Sequence, residues 1–184
     1  MNTITLRIVP EKKINSTHKE SIKRLQDECF GDVDASSIEE DFIAESFARI
    51  FAYSNGTMVG MLRLFKRKVE FAGKNFLLGG LGGVCVAVSM RRMGVASAMV
   101  KKGLVQLKKH NCDIACLNVD TEKGIYGVYE KAGFMMMERD ISYENSNGEI
   151  KLDTGTMFAP ICSPDLYEYV MKSRVTFHYG KGYW

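Results

Sequence analysis

The sequence predicts an α+β fold: a mixed, mostly antiparallel central sheet, helices on both faces, and a C-terminal helix with an aromatic tail. Three observations predict it. Between Phe47 and Val88 three apolar-rich segments follow one another, separated only by tight-turn residues, as in a strand meander. From Arg91 to His110 apolar residues recur at helical spacing. The chain has 184 residues, 46% hydrophobic and 26% charged, which is ordinary for one soluble domain. Residues 1–184 therefore read as a single domain, with a core to about residue 160 and an extension from about 161 to 184.

The elements follow in order. Ile4, Leu6 and Ile8 alternate in a short strand that ends at Pro10. Ser16 and Thr17 can cap a helix whose apolar face carries Ile22, Leu25, Cys29 and Phe30, stopped by Gly31. A second short helix is expected over Ser37–Ala44. Phe47–Tyr53, Thr57–Phe71 and Asn75–Val88 are the three meander strands, turned at Asn55-Gly56 and Ala72-Gly73. The helix of Arg91–His110 comes next, with Lys108, Lys109 and His110 suited to its C-terminus. Asp113–Val119 reads as a buried strand and Glu122–Lys131 as a helix closed by Gly133. Phe134–Tyr143 and Glu149–Pro160 read as a hairpin. Pro164 opens a last helix to about Lys172.

Composition excludes several classes. Twenty-five Lys and Arg against 22 Asp and Glu give a net charge of +3, too even to indicate nucleic-acid binding, and the cations are spread along the chain. No apolar run approaches a membrane span, and the N-terminal residues lack the pattern of a signal peptide. The five cysteines are odd in number and scattered, which favours buried free thiols in a reducing cytoplasm. Cys112 and Cys116 lack the neighbours of a zinc site, so no metal is expected.

The most informative segment runs from Val84 to Ala96. The strand that reaches Val88 runs into a tight turn, and a long helix begins within it. Amides at a helix start have no intrahelical partner and carry partial positive charge, which suits a phosphate. Gly94 and Ala96 keep side chains clear of an approaching pyrophosphate, and Arg91 and Arg92 add full charges. The segment is not a Walker loop, because no Gly-Lys-Ser/Thr follows. Gly79-Gly80-Leu81-Gly82-Gly83 precedes the strand end, so it marks a bulge or a place where another molecule's backbone comes close.

Arg91, Gly94 and Ala96 occupy the specified positions of Arg/Gln-x-x-Gly-x-Gly/Ala, and the segment resembles the acyl-CoA pyrophosphate motif of the GNAT acetyltransferase superfamily. Tyr129, Lys131, Gly133 and Phe134 resemble that superfamily's second signature, in the right order. The element order over residues 1 to about 160 also fits. The resemblance implies a sheet splayed at its middle strands, with the pantetheine arm of acetyl-CoA lying along Val84, Cys85 and Val86. It implies a pyrophosphate held by the amides of Met93, Gly94, Val95, Ala96 and Ser97 with Arg91 and Arg92, and an oxyanion held by an amide near Val84.

Tyr129 matches the family's general acid for the departing thiolate, a role open to a phenol with a pKa of about 10. Taken alone, Tyr129 reads as a half-buried packing tyrosine, and the motif reverses that reading; Tyr126, three residues earlier, is the reserve candidate. Two positions depart from the family. Many members carry Glu or His nine residues before the motif arginine; here that residue is Gly82. Ordered water, Glu122, His178 or the chain terminus remain as sources of a base. Glu122 stands where many members have a CoA-contacting Asn.

Thr154–Ile161, Gly83–Val86 and the final Trp184 resemble the aminoglycoside 2′-N-acetyltransferase branch, which places a terminal Trp in the acceptor site. That makes Trp184, Tyr183 and His178 candidate acceptor-binding residues. The branch's acidic residues are here Gly82 and Gly182, and the tail carries Lys172, Arg174, His178 and Lys181. The aromatic tail also reads as packing on the sheet or as a homodimer contact. The function expected is acetyl-CoA-dependent transfer to a primary amine of a small molecule. A protein or peptide N-acetyltransferase and a non-catalytic acyl-CoA-binding module are the alternatives.

Overall fold

A computed structural model describes residues 3–31, 40–121 and 124–184. Its first four strands are antiparallel neighbours: β1 (Ile4–Pro10), β2 (Ala48–Ser54), β3 (Thr57–Phe71) and β4 (Lys74–Val86). The β2–β3 and β3–β4 turns each place two residues at positive φ, Asn55 and Gly56 (49° and 79°), then Ala72 and Gly73 (47° and 77°). That is the backbone twist a two-residue hairpin requires. β5 (Ile114–Asn118) joins β4 in parallel, and β9 (Thr156–Pro160) and β6 (Met135–Met136) complete a seven-stranded sheet in the order β1-β2-β3-β4-β5-β9-β6.

The two faces of the sheet hold different cores. On one, Leu62, Leu64 and Leu81 meet α2 (Val95–Lys109). Gly103 permits that approach, since a Cβ there would lie 2.8 Å from Leu81 Cδ2. On the other, α1 (Ser16–Phe30) stacks His18 on Phe51, ring centroids 5.3 Å apart. Further along this face Phe65, Phe158 and Phe177 form a second apolar cluster with α4 (Pro164–Lys172), through Tyr167 and Val170. The expected α+β architecture with helices on both faces is therefore present.

Three local expectations differ. The helix expected from Arg91 begins at Val95, because Arg92 and Gly94 have φ of 63° and 78° and cannot continue a right-handed helix. The helix expected over Glu122–Lys131 is, among the described residues, the single turn α3 (Gly127–Glu130). The hairpin expected from Phe134 to Pro160 divides between two sheets. β7 (Ile141–Glu144) pairs with β8 (Ile150–Asp153), while β9 crosses to the main sheet. Gly155 makes that crossing at φ 81°, its carbonyl accepting from Val119 N–H at 3.0 Å. A Cβ at this position would sit 2.5 Å from Val119 O. The expected helix at Ser37–Ala44 begins outside the described residues.

The tail becomes a strand, β10 (Phe177–Lys181), which runs parallel to β7 in a three-stranded sheet ordered β10-β7-β8. Phe177 and Tyr179 point into the second cluster and are fully buried, as the alternation of a strand with one covered face demands. Cys85, Cys112 and Cys116 are buried free thiols, whereas Cys29 is half-buried and Cys162 exposed. No helix among the described residues is long and apolar enough to cross a membrane.

Candidate functional site: a splayed strand pair and a phosphate-binding turn

The β4–β5 ladder is short. Leu78, Gly79 and Gly80 pair with Ile114, Ala115 and Cys116, and no pairing follows. β5 stays fully paired to β9 through Asn118, so beyond Leu81 the β5-facing edge of β4 is open. A bulge contributes to the divergence. The β3–β4 register shifts between Met61–Cys85 and Arg63–Gly82, and Gly83 takes φ 55° there. A bulge bends its strand and raises the local twist. The open edge that results carries Val84, Cys85 and Val86.

Val86 leads through a 3₁₀ turn (Val88–Met90) to Gly94, the N-cap of α2. No side chain caps this 15-residue helix. Ala98 N–H is the first amide to find a helical carbonyl, that of Gly94 at 3.0 Å. The amides of Val95, Ala96 and Ser97 precede it and have no earlier turn to bond. Arg91 folds back, Nε donating to Val86 O at 3.2 Å with a guanidinium nitrogen 3.8 Å from Cys29 Sγ. Arg92 and Met93 are exposed. Strand end, turn and helix start thus meet as one cationic corner at the mouth of the splay.

Tyr129 sits on α3, 8% exposed, in the apolar cluster that also holds Cys85, Val86, Val95 and Val119. Phe134 meets its ring edge-on at 6.4 Å, and Phe134 N–H donates to Tyr129 O at 3.1 Å. Burial pushes the Tyr129 phenol above its ordinary range. Tyr126, immediately before the helix, is 41% exposed and does not share that cluster. Glu122 lies outside the described residues. Burial, reinforced by neighbouring Cys29, pushes the Cys85 thiol up to about 12, and burial pushes Cys116 to about 12. Both stay protonated at neutral pH, and a thiol is a poor nucleophile.

On the opposite face the tail closes over the start of the splay. Trp184 stacks on Phe65 (5.2 Å, 11°), the Arg67 guanidinium lies 4.3 Å from its ring centroid, and Tyr179 packs beside it at 4.4 Å. A Cβ on Gly80 would fall 2.2 Å from Trp184 Cε2, and one on Gly82 would fall 2.8 Å from the Trp184 carbonyl carbon. Asn118 Nδ2 at the end of β5 donates to Tyr179 Oη (3.3 Å) and Trp184 O (3.4 Å), while its Oδ1 accepts from Thr156 Oγ1 at 2.6 Å. The expected close approach at the glycine run is made by the chain's own tail. Tyr183 is buried and bonds to Asp153. His178 is exposed, alternates to the far side of β10 and pairs with Ser142 Oγ at 3.0 Å. The structure brings Trp184 to the splay and leaves His178 away from it.

A family model described as an acetyltransferase (GNAT) domain matches residues 11–137, more than two thirds of the chain. This chain belongs to the GNAT acetyltransferase family. Solved GNAT structures share its fold at low identity. YhbS from Escherichia coli, in complex with CoA, is 14% identical with a TM-score of 0.61, over 98% of this chain and 90% of that one. ElaA from Escherichia coli is 16% identical with a TM-score of 0.61, over 85% and 99%. A GCN5-related N-acetyltransferase from Kribbella flavida is 20% identical with a TM-score of 0.56, covering 73% of this chain but only 34% of its own. The chain thus spans about a third of that longer GNAT protein. No curated protein sequence gives a significant match. The segment matched as an acetyltransferase (GNAT) domain contains both β4 and the turn into α2.

Sequence reasoning passed over Arg49, Arg63 and Glu11, which meet on the tail-bearing face between α1 and Trp184. Two arginines at interior positions of strongly apolar strands were the available signal.

Proposed function

We propose that this GNAT chain transfers the acetyl group of acetyl-CoA directly to a primary amine of a small molecule. The observation that carries the reading is the open edge of β4 beyond Leu81, aimed at the uncapped start of α2. An extended pantetheine arm can add to that edge as a strand would. Its pyrophosphate then meets the amides of Val95, Ala96 and Ser97 and the positive charge of Arg91 and Arg92. In the transfer the amine nitrogen bonds to the thioester carbon, and an amide near Val84 stabilises the oxyanion. The carbon–sulfur bond breaks, Tyr129 gives its proton to the sulfur, and the nitrogen loses a proton to solvent. The high pKa values of Cys85 and Cys116 support direct attack over an acetyl-cysteine intermediate. The Trp184 seat supports a small acceptor, because it fills the face above Gly80 and Gly82 that a long peptide would need.

Gly94→Val tests the turn. A β-branched residue at φ 78° is strained by about 1–2 kcal/mol, and its side chain enters the phosphate's approach. The expected result is a Kd for CoA at least about tenfold weaker by titration calorimetry, in a chain that still melts cooperatively. Unchanged affinity places the pyrophosphate elsewhere. Removing Tyr183 and Trp184 is expected to raise the acceptor KM more than the acetyl-CoA KM.

A further inference from the structure

Along β3 the residues on the tail-bearing face are Met61, Arg63, Phe65 and Arg67. Phe65 and Arg67 are covered by Trp184, and α1 covers Phe51, the β2 partner of Met61. Arg63 stands in the interval. It pairs with Gly82 across the ladder, and its Cδ and Cγ lie 3.3 and 3.6 Å from where a Gly83 Cβ would be. It therefore overhangs the bulge at the splay. From Arg63 an open groove of about 520 Å³ runs toward α1, within the size range of small-molecule sites.

Among the described residues its charged lining is Lys12, Lys19, Lys23, Arg49 and Arg63 against one carboxylate, Glu11. Glu11 is already engaged: Arg49 donates to it at 2.6 and 3.1 Å and Ser46 Oγ at 2.8 Å. Burial opposes its charge, but these bonds and the Arg49 and Arg63 charges outweigh burial and hold its carboxyl below the usual range. Lys23 is paired with Asp27 at 2.7 Å. Among the described residues Lys12 and Lys19 are in no ion pair. Arg49 and Arg63 are directly opposite one another in register, a like-charge pair that is unfavourable.

We propose that this groove receives the acceptor, and that the acceptor is a small primary amine which also carries an anionic oxygen group, a carboxylate or a phosphate. The proposal rests on the acetyl-transfer reading above and adds the acceptor's charge. An anion here adds to Glu11 in offsetting the Arg49 and Arg63 charges, whereas a polycationic amine meets a lining in which cations outnumber the carboxylate. The same field addresses the absence of a carboxylate at Gly82. Cations near an ammonium disfavour its charged form, so more of the bound acceptor is the neutral, nucleophilic amine.

Titration calorimetry on the full chain tests this, with and without CoA, using O-phosphoethanolamine and aspartate against ethanolamine and spermidine. At least one anionic amine is expected to bind about tenfold or more tightly than ethanolamine and spermidine, and to weaken as salt is raised. Lys12→Gln with Lys19→Gln, both exposed, should reduce that affinity about tenfold and leave the CoA affinity unchanged. Equal or tighter binding of spermidine, no heat from either anion, or an equal loss for ethanolamine in the double variant overturns the proposal. Heat from CoA without heat from the anions overturns this proposal alone. Heat from the anions without heat from CoA overturns the transferase reading, and the acceptor assignment with it.

Discussion

Tyr129→Phe is expected to lower kcat by about 100-fold or more, read as thiol release from acetyl-CoA, while the Kd for CoA stays within about twofold. The substitution removes one oxygen and keeps the ring that packs edge-on against Phe134, so the fold should survive it. What is lost is the proton for the leaving sulfur. The pH profile is a second readout. Burial raises the pKa of Tyr129, so the protonated, catalytically active form persists to higher pH than in a free tyrosine. Activity should therefore show no loss from this group below about pH 10. Tyr126→Phe should change kcat little, since Tyr126 is outside the cluster that borders the splay. A fully active Tyr129→Phe would remove this residue from the reaction.

Trp184→Ala is expected to destabilise the fold by about 3–5 kcal/mol, measured by denaturant unfolding. The side chain is 4% exposed and touches Phe65, Tyr179 and Arg67, so its removal leaves a cavity over β4 rather than a frayed end. Gly80→Ala reaches the same contact from below. A methyl group 2.2 Å from the indole must expel it or move the strand, at a cost of about 1–3 kcal/mol. The two changes in one chain should cost clearly less than their sum, because the alanine at 80 then occupies space the indole has vacated. A Trp184→Ala variant within about 0.5 kcal/mol of the parent would show that the tail does not pack.

The turn from Val86 to Ser97 was legible in the sequence because its chemistry is local: a strand end, a positive-φ glycine and a helix start lie within a dozen residues. The β2–β4 meander was legible for the same reason, its turns being spelled by Asn55-Gly56 and Ala72-Gly73. What could not be read was long-range. Gly80 and Gly82 make sense only beside Trp184, about a hundred positions later. The division of the Phe134–Pro160 hairpin depends on Gly155 meeting Val119. The helix expected from Glu122 has one described turn, since Gly124 takes φ 60°, a conformation that apolar spacing does not register and that a right-handed helix cannot contain. Arg49, Arg63 and Glu11 come from three separate elements, and only their assembly reveals an excess of positive charge at the bulge.

Gly82 and Trp184 cannot both be large. The room a carboxylate on the central strand would require is filled by the main chain of the tail, so installing an acid at 82 and keeping the indole in place are alternatives. Engineering a base at position 82 therefore means redesigning the segment around Trp184 at the same time, and a Gly82→Glu exchange made alone should read out as a folding defect before it reads out as catalysis.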